Sequence, residues 1–324
     1  MELTGTLESA PPRTRGRSPA AKAFRVLIRK KIAVVAIAYL LVFYSAGSLA
    51  PLIAPHDPYE QHRTVAEVKQ GPSGDHWFGT DSLGRDMFSR TLYAARTTII
   101  FTLAVTLTGG LFLGLGLGLL AGYRGGWIDT LIMRVGEVLN GLPTLFIMLA
   151  LTAAFRTRID DASFWLKDHT FLGNDAKTFL QFSIIVGATV PFAWVGSSRI
   201  VRSQALQLRE AGFVEAAELV GASTWRILTR HILPGVMPLF LVGLSSGMAG
   251  IAGAEVSLSF LGLGITPPAA SFGNMISDGA GVRTFQANPH LLLSAAVPVI
   301  LFFFAWNLLG DALVDVLEPR NRSS

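Results

Sequence analysis

The sequence predicts an all-α polytopic membrane protein with six transmembrane helices. Three observations carry that prediction. Only 15% of the 324 residues are charged, while 51% are hydrophobic and the mean hydropathy is +0.47; an ordinary soluble domain carries about 25% charged residues. The few charges are gathered in blocks, which leaves six stretches of twenty or more residues nearly free of them. Eight Lys/Arg residues, from Arg13 to Lys31, stand just before the first of those stretches, the pattern of a cytoplasmic flank.

Residues 1–20, rich in Pro, Arg, Ser and Ala, read as a disordered cytoplasmic tail, and residues 320–324 as a short C-terminal one. Between them, residues 21–319 form one membrane domain with no linker to divide it. Its spans fall at about 32–55, 97–123, 135–155, 178–198, 232–260 and 291–310. Each can cross a hydrocarbon core roughly 30 Å thick. The first apolar run is too long for the core of a cleaved signal peptide, about 7–15 residues, so it is expected to stay as a span.

Six crossings return the C-terminus to the side of the N-terminus, and charge supports both termini being cytoplasmic. On that topology the inside segments hold 17 Lys/Arg against 9 Asp/Glu, and the outside segments 10 against 11. The formal charge of +5 is thereby explained by topology rather than by nucleic-acid binding. The chain has no cysteine, which excludes a disulfide framework and a thiolate metal site.

Four segments outside the spans carry information. Residues 55–96 are an outside segment ending in an amphipathic stretch, 156–177 a polar outside loop with four acids, and 262–290 a third outside loop. Residues 199–231 are the largest inside loop. In the second span Gly110, Gly114, Gly118 and Gly122 recur every four residues, on one side of a helix. Such a stripe lets another helix approach closely. It serves either a seam with a partner subunit or packing within the chain, and the second reading is favoured. No lysine directly follows a glycine, so a Walker A phosphate loop is absent.

The inside loop is the most informative segment. Leu206, Leu208, Phe213, Val214, Ala217 and Val220 alternate with Arg209, Glu210, Glu215 and Glu218, as in a helix half in protein and half in water. Gly221 suits the left-handed position that ends a helix, and Ser223 can cap the next. Pro234 then begins or bends the fifth span. The result is a helical hairpin that acts as a lever on the fourth and fifth spans.

Glu215-Ala216-Ala217, three residues, Gly221, nine residues and then His231-Ile232-Leu233-Pro234 resembles the EAA loop of binding-protein-dependent ABC importer permeases. HWFGTDSLGRDMFSRTLYAAR (76–96), LSFLGLGITPP (258–268) and NLLGDALVDVLEPR (307–320) are similar to segments of the C-type subunits of dipeptide, oligopeptide and nickel permeases. Departures are few: Ala94, Gly235 and Val314 replace a common Gly, Asn and Arg, and the loop at 156–177 is longer than the family's short connection. An insertion in that loop is tolerated at small entropic cost.

The resemblance implies a type I ABC importer permease fold whose EAA coupling helix docks on an ATPase. Glu215, Ala216, Ala217, Gly221, Ser223, His231 and Pro234 would form the ATPase-coupling site. It implies a paralogous permease subunit, two ABC ATPases that bind ATP and Mg, and an extracytoplasmic solute-binding protein. This chain would be no enzyme and hold no cofactor, and it would sit multi-pass in a bacterial-type inner membrane. Di- and oligopeptides are the solutes implied; nickel and glutathione are the alternatives. A proton-coupled secondary transporter and a polytopic membrane enzyme are the readings from other classes.

Charged groups inside spans usually face a cavity or a partner. Glu137 and Glu255 therefore have two readings. They line the solute path and attract a peptide amino group or a metal cation, or they are paired structurally, as Arg134 one turn before Glu137 suggests. The structural reading is favoured. The six histidines show no HxxxH or HExxH spacing, so no zinc-hydrolase site is expected. Gly84-Arg85-Asp86 reads as a helix cap with an ion pair, and the sequon at Asn321 lies on the cytoplasmic side.

Overall fold

The computed structural model describes residues 27–28, 30–62, 64, 67–169 and 176–317, so both expected tails lie outside the described residues. Those residues form eleven helices: α1 (Lys31–Ser48), α2 (Ala50–Ile53), α3 (Met87–Arg124), α4 (Gly126–Gly141), α5 (Thr144–His169), α6 (Ala176–Arg209), α7 (Gly212–Leu219), α8 (Thr224–Phe260), α9 (Phe272–Gly279), α10 (Val282–Ala287) and α11 (Pro289–Leu317). Five of them, α1, α3, α6, α8 and α11, are long and apolar enough to cross a membrane singly.

The sixth crossing corrects the sequence reading. In place of one straight helix at 135–155, α4 and the first part of α5 meet at 85°, and only as a pair are they long and apolar enough for a span. The break is at Leu142-Pro143. Pro143 has no N–H to donate, and its ring drives Leu142 out of the helical region; Leu142 is extended, with φ −87° and ψ 143°.

The polar loop expected at 156–177 is corrected as well. Helix α5 runs on through it to His169. From Thr144 to His169 there is neither Gly nor Pro. Polarity sets where a helix leaves the membrane, but the backbone needs a breaker to stop. The same reason carries α6 to Arg209, eleven residues past the expected end of its span. Helix α3 likewise starts earlier than the span, at Met87, where the Asp86 carboxylate accepts from the Ser89 N–H at 2.7 Å.

Gly114, Gly118 and Gly122 on α3 meet Ser197, Val201 and Ala205 on α6, a second series at four-residue spacing. Gly110 faces Leu244 of α8. The glycine stripe is therefore a seam within the chain. Over this region, Thr106–Leu115, α3 is wound as a π-helix.

Three large buried clusters hold the bundle, and a small fourth one joins Ala33 of α1 to Ala312 of α11. Phe43 of α1, Phe272 of α9 and Phe302 of α11 centre the first, with the Phe43 and Phe302 rings 4.6 Å apart. Phe101, Met148, Ile185 and Leu258 bring α3, α5, α6 and α8 together in the second. The third joins α6, α7 and α8 at the far end. Phe112 and Phe304 point outward and are exposed, as lipid-facing side chains are. Association in lipid comes from close packing rather than from hiding apolar surface, which is why small residues line the seams.

Candidate functional site: a groove and a helical hairpin

A groove of about 530 Å³ opens between α3, α5, α6, α8 and the end of α4. Helix α8 contributes Gly243, Gly247, Gly250 and Gly253, and α6 contributes Thr189, Gly196 and Ser197. Asn140 and Thr144 stand on either side of the 85° bend and add polar groups from its two limbs. A Cβ added at Gly196, Gly247 or Gly250 would meet nothing within 4 Å. At these three positions glycine leaves volume to the groove.

The wall is neutral. It offers hydroxyls and an amide among glycine and apolar carbon, without a charged side chain among its described residues. Glu137 and Glu255 are both outside it. Glu137 is more than half exposed on α4 and takes a 3.0 Å hydrogen bond from the Arg134 guanidinium. Glu255 is fully buried; Ser259 Oγ donates to it at 2.9 Å and Thr98 Oγ1 at 3.4 Å. Ser259 Oγ in turn accepts from the Ile265 N–H at 3.0 Å. Glu255 thus ties α8 to α3 and to the loop after α8.

The hairpin is built from α7 and the first turns of α8. Gly221 has φ +78°, a conformation that costs an L-residue with a Cβ about 1–2 kcal/mol. The Ala222 N–H reaches the Ala217 carbonyl at 3.0 Å and the Gly221 N–H reaches Glu218 at 2.9 Å. This pair of bonds is a Schellman ending, which satisfies carbonyls a helix end leaves free. Ser223 caps α8, its hydroxyl accepting from the Arg226 N–H at 3.4 Å. Pro234 falls seven residues after the Thr224–Ile227 turn, behind a π-wound stretch at Leu228–Ile232. Its missing N–H lies where that winding gives way to α-helix.

One face of the hairpin is buried and the other is bare. Val214, Ala217 and Ile227 pack with Val201 and Ala205 of α6 and with Ile232, Val236 and Phe240 of α8. Leu219, Val220 and Trp225 are each at least 76% exposed, and Phe213 nearly half. Such an apolar patch beyond the membrane-spanning part marks an interaction surface. Glu215, Ala216, Gly221, Ser223 and Pro234 are exposed, whereas His231 is half-buried beside the Phe213 ring. Glu218 accepts from the Tyr123 hydroxyl at 3.1 Å, tying the hairpin to the end of α3.

Two polar partnerships, Arg202 with Asp129 and Arg90 with Asp81, were not legible in the sequence. Arg202 of α6 forms an ion pair with Asp129 of α4, which fixes the first limb of the bent pair. In the segment before α3, the Asp81 carboxylate lies between the buried Arg85 (2.6 Å) and Arg90 (3.5 Å). Arg85 also approaches Asp278 at 3.9 Å. Burial pushes the Asp278 carboxyl up, while Arg90 and Arg85 pull it back down. The expected cap and ion pair around Gly84-Arg85-Asp86 are both present.

The chain matches the model of the binding-protein-dependent transport system inner membrane component over residues 114–323. It matches that of the N-terminal TM domain of oligopeptide transport permease C over residues 18–72. It is 37% identical to the dipeptide transport system permease protein DppC of Bacillus subtilis over 300 residues, covering 93% of this chain and 85% of the relative. It is 34% identical to the glutathione transport system permease protein GsiD of Pectobacterium atrosepticum over 312 residues, covering 95% and 93%. Identity to the oligopeptide transport system permease protein OppC of Bacillus subtilis is 32% over 292 residues, covering 90% and 87%.

Proposed function

Because the chain belongs to the binding-protein-dependent transport system inner membrane components, we propose that it is the permease subunit through which an ATP-driven importer passes di- and oligopeptides, and that its hairpin couples the path to ATPase partners. One observation carries this reading. Two of the helices that wall the groove, α6 and α8, are the ones on which the hairpin is anchored. Ser197 lines the groove, and one turn further along α6 Val201 packs in the cluster that holds Val214 and Ile227. A push on the bare apolar face of the hairpin therefore reaches the groove through two continuous helices.

In this reading Leu219, Val220 and Trp225 seat in an ATPase subunit, which binds ATP and Mg and performs the hydrolysis. Glu215, Ala216, Ala217, Gly221, Ser223, His231 and Pro234 shape the docking element. A paralogous permease completes the path, and a solute-binding protein delivers from the extracytoplasmic side. The termini are cytoplasmic. A neutral wall suits a zwitterionic or neutral peptide, whose backbone amides find Asn140, Ser197 and Thr189 as partners. It offers no carboxylate to a bare metal cation.

The assay is uptake of a labelled dipeptide into proteoliposomes holding the complete importer, with glutathione and Ni²⁺ as competing solutes. Uptake is expected to need internal ATP and to persist when the proton gradient is collapsed. Uptake driven by the proton gradient without nucleotide would sink the proposal. Preferential uptake of Ni²⁺ would sink the peptide assignment alone.

A further inference from the structure

The segment between α2 and α3 gathers two histidines and an aspartate that are far apart in sequence. His56, His76 and Asp86 each present one ligand atom, all within 4.8 Å of one another. His76 Nδ1 lies 2.9 Å from Asp86 Oδ1, and His56 Nδ1 lies 3.9 Å from the same oxygen. The two imidazoles face each other with centroids 4.7 Å apart. We propose that His56, His76 and Asp86 form a binding site for a borderline divalent transition-metal ion of the Zn²⁺ type, which clamps the segment before α3 onto the start of that helix.

Geometry, burial and positioning support the site independently. A tetrahedral zinc with ligands at about 2.0–2.2 Å holds its donor atoms about 3.3–3.5 Å apart. The observed 2.9 and 3.9 Å bracket that spacing, and the three donor atoms lie within 4.8 Å of one another. Two imidazole nitrogens and one carboxylate oxygen are a donor set that suits such an ion, and water completes the fourth position. The Asp86 side chain is 1% exposed and His76 19%, while His56 is 38% exposed and opens the way in.

His56 Nδ1 is buried and has no hydrogen-bond partner. Leaving such an atom unsatisfied is unfavourable, whereas a ligand role uses its lone pair. The groups around the cluster are also held in place. Asp86 Oδ2 accepts from the Ser89 N–H at 2.7 Å, which leaves Oδ1 for the ion. The His56 backbone N–H donates to Ser89 Oγ at 3.2 Å, and the His76 N–H to Ser73 Oγ at 3.1 Å. The bond to Asp86 is a second-sphere contact of the kind that orients a ligand, and the two backbone bonds fix the positions of the histidines. The absence of cysteine in the chain removes thiolates as competitors for the ion.

The test uses the full chain in its complex, free of any histidine tag, stripped with chelator and titrated with Co²⁺ by visible absorption. One equivalent of Co²⁺ per chain is expected to give tetrahedral d–d bands that Zn²⁺ abolishes. In a His56→Gln/His76→Gln complex the affinity should fall by about 100-fold or more. Asp86→Asn keeps a competent helix cap and should lose about tenfold or more. Zn²⁺ should raise the unfolding temperature of the wild-type complex and leave that of the double variant unchanged. If the wild-type complex shows no saturable binding of one equivalent, or if binding survives both the double substitution and Asp86→Asn unchanged, the site is overturned. Because the readout is metal binding, it is independent of whether the imported solute is a peptide.

Discussion

A Cβ built on Gly118 of α3 would stand 2.6 Å from the Cβ of Val201 on α6, and 2.8 Å from the Ser198 carbonyl oxygen. The two helices touch backbone to side chain at this point. Below Gly118 the register repeats at Gly122 and Ala205, also at 2.6 Å. Val201 and Ala205 belong at the same time to the cluster that anchors the hairpin. The seam between α3 and α6 is thereby continuous with the coupling element.

Replacing Gly118 with Val forces that seam apart. Overpacking of a tight contact costs about 1–3 kcal/mol, and here one obstacle is a backbone carbonyl, which cannot swing aside. The variant complex should unfold several degrees earlier and recover in lower yield. Gly116→Ala on the same helix is the control, because its Cβ meets nothing within 4 Å. Equal thermal stability of the two variants would refute the seam.

Gly221→Val tests the hairpin turn. Space is no obstacle, since a Cβ there meets nothing within 4 Å, but φ +78° strains a β-branched residue. The Schellman ending should open at a cost of about 1–2 kcal/mol or more. Uptake per ATP hydrolysed should drop severalfold, whereas Gly221→Asn, which tolerates the left-handed region, should retain most of it. Unchanged coupling in Gly221→Val would count against the lever.

Glu255→Gln should leave solute preference unaltered, because the side chain is sealed behind the groove wall. Stability should fall by about 1–2 kcal/mol as the bonds from Ser259 and Thr98 weaken. Thermal unfolding and competition uptake measured side by side check both halves. A changed ranking of solutes would place Glu255 on the path after all.

Gly247→Leu addresses the groove directly. Its added side chain has room to form, with no heavy atom within 4 Å of the new Cβ, and it projects into the groove. The complex should assemble normally while uptake of larger peptides falls more than that of dipeptides. Equal uptake of all sizes would remove this groove from the path.

The Asp129–Arg202 pair lends itself to a charge exchange. Asp129→Asn should loosen α4 by about 1.5–3 kcal/mol, the worth of a hydrogen bond to a charged group. Asp129→Arg combined with Arg202→Asp should recover part of that loss in a double-mutant cycle. No recovery would mean that the pair does not position α4.

Much of the architecture was legible along the chain. Long uncharged runs announce membrane helices because lipid accepts little else. Gly221 and Ser223 announced a turn and a cap, since both are local chemistries, and each is found in that role. Helix ends are less legible. Polarity places those ends at residues 155 and 198, whereas the helices run on to His169 and Arg209. Pro143 offered the signal for the bend inside the third span, and the spacing of Gly243, Gly247 and Gly250 offered one for the groove face.

What the sequence by itself determined is the class of molecule, the order of its apolar helices and the turn of its hairpin. These depend on residues within one or two helical turns of each other. Tertiary structure alone decided that Glu255 is sealed in, that Arg202 reaches Asp129, that Gly118 meets Val201, and that His56 and His76 converge on Asp86. Each of these joins side chains distant in sequence, and only the way the helices stack in space brings such partners within a few ångströms.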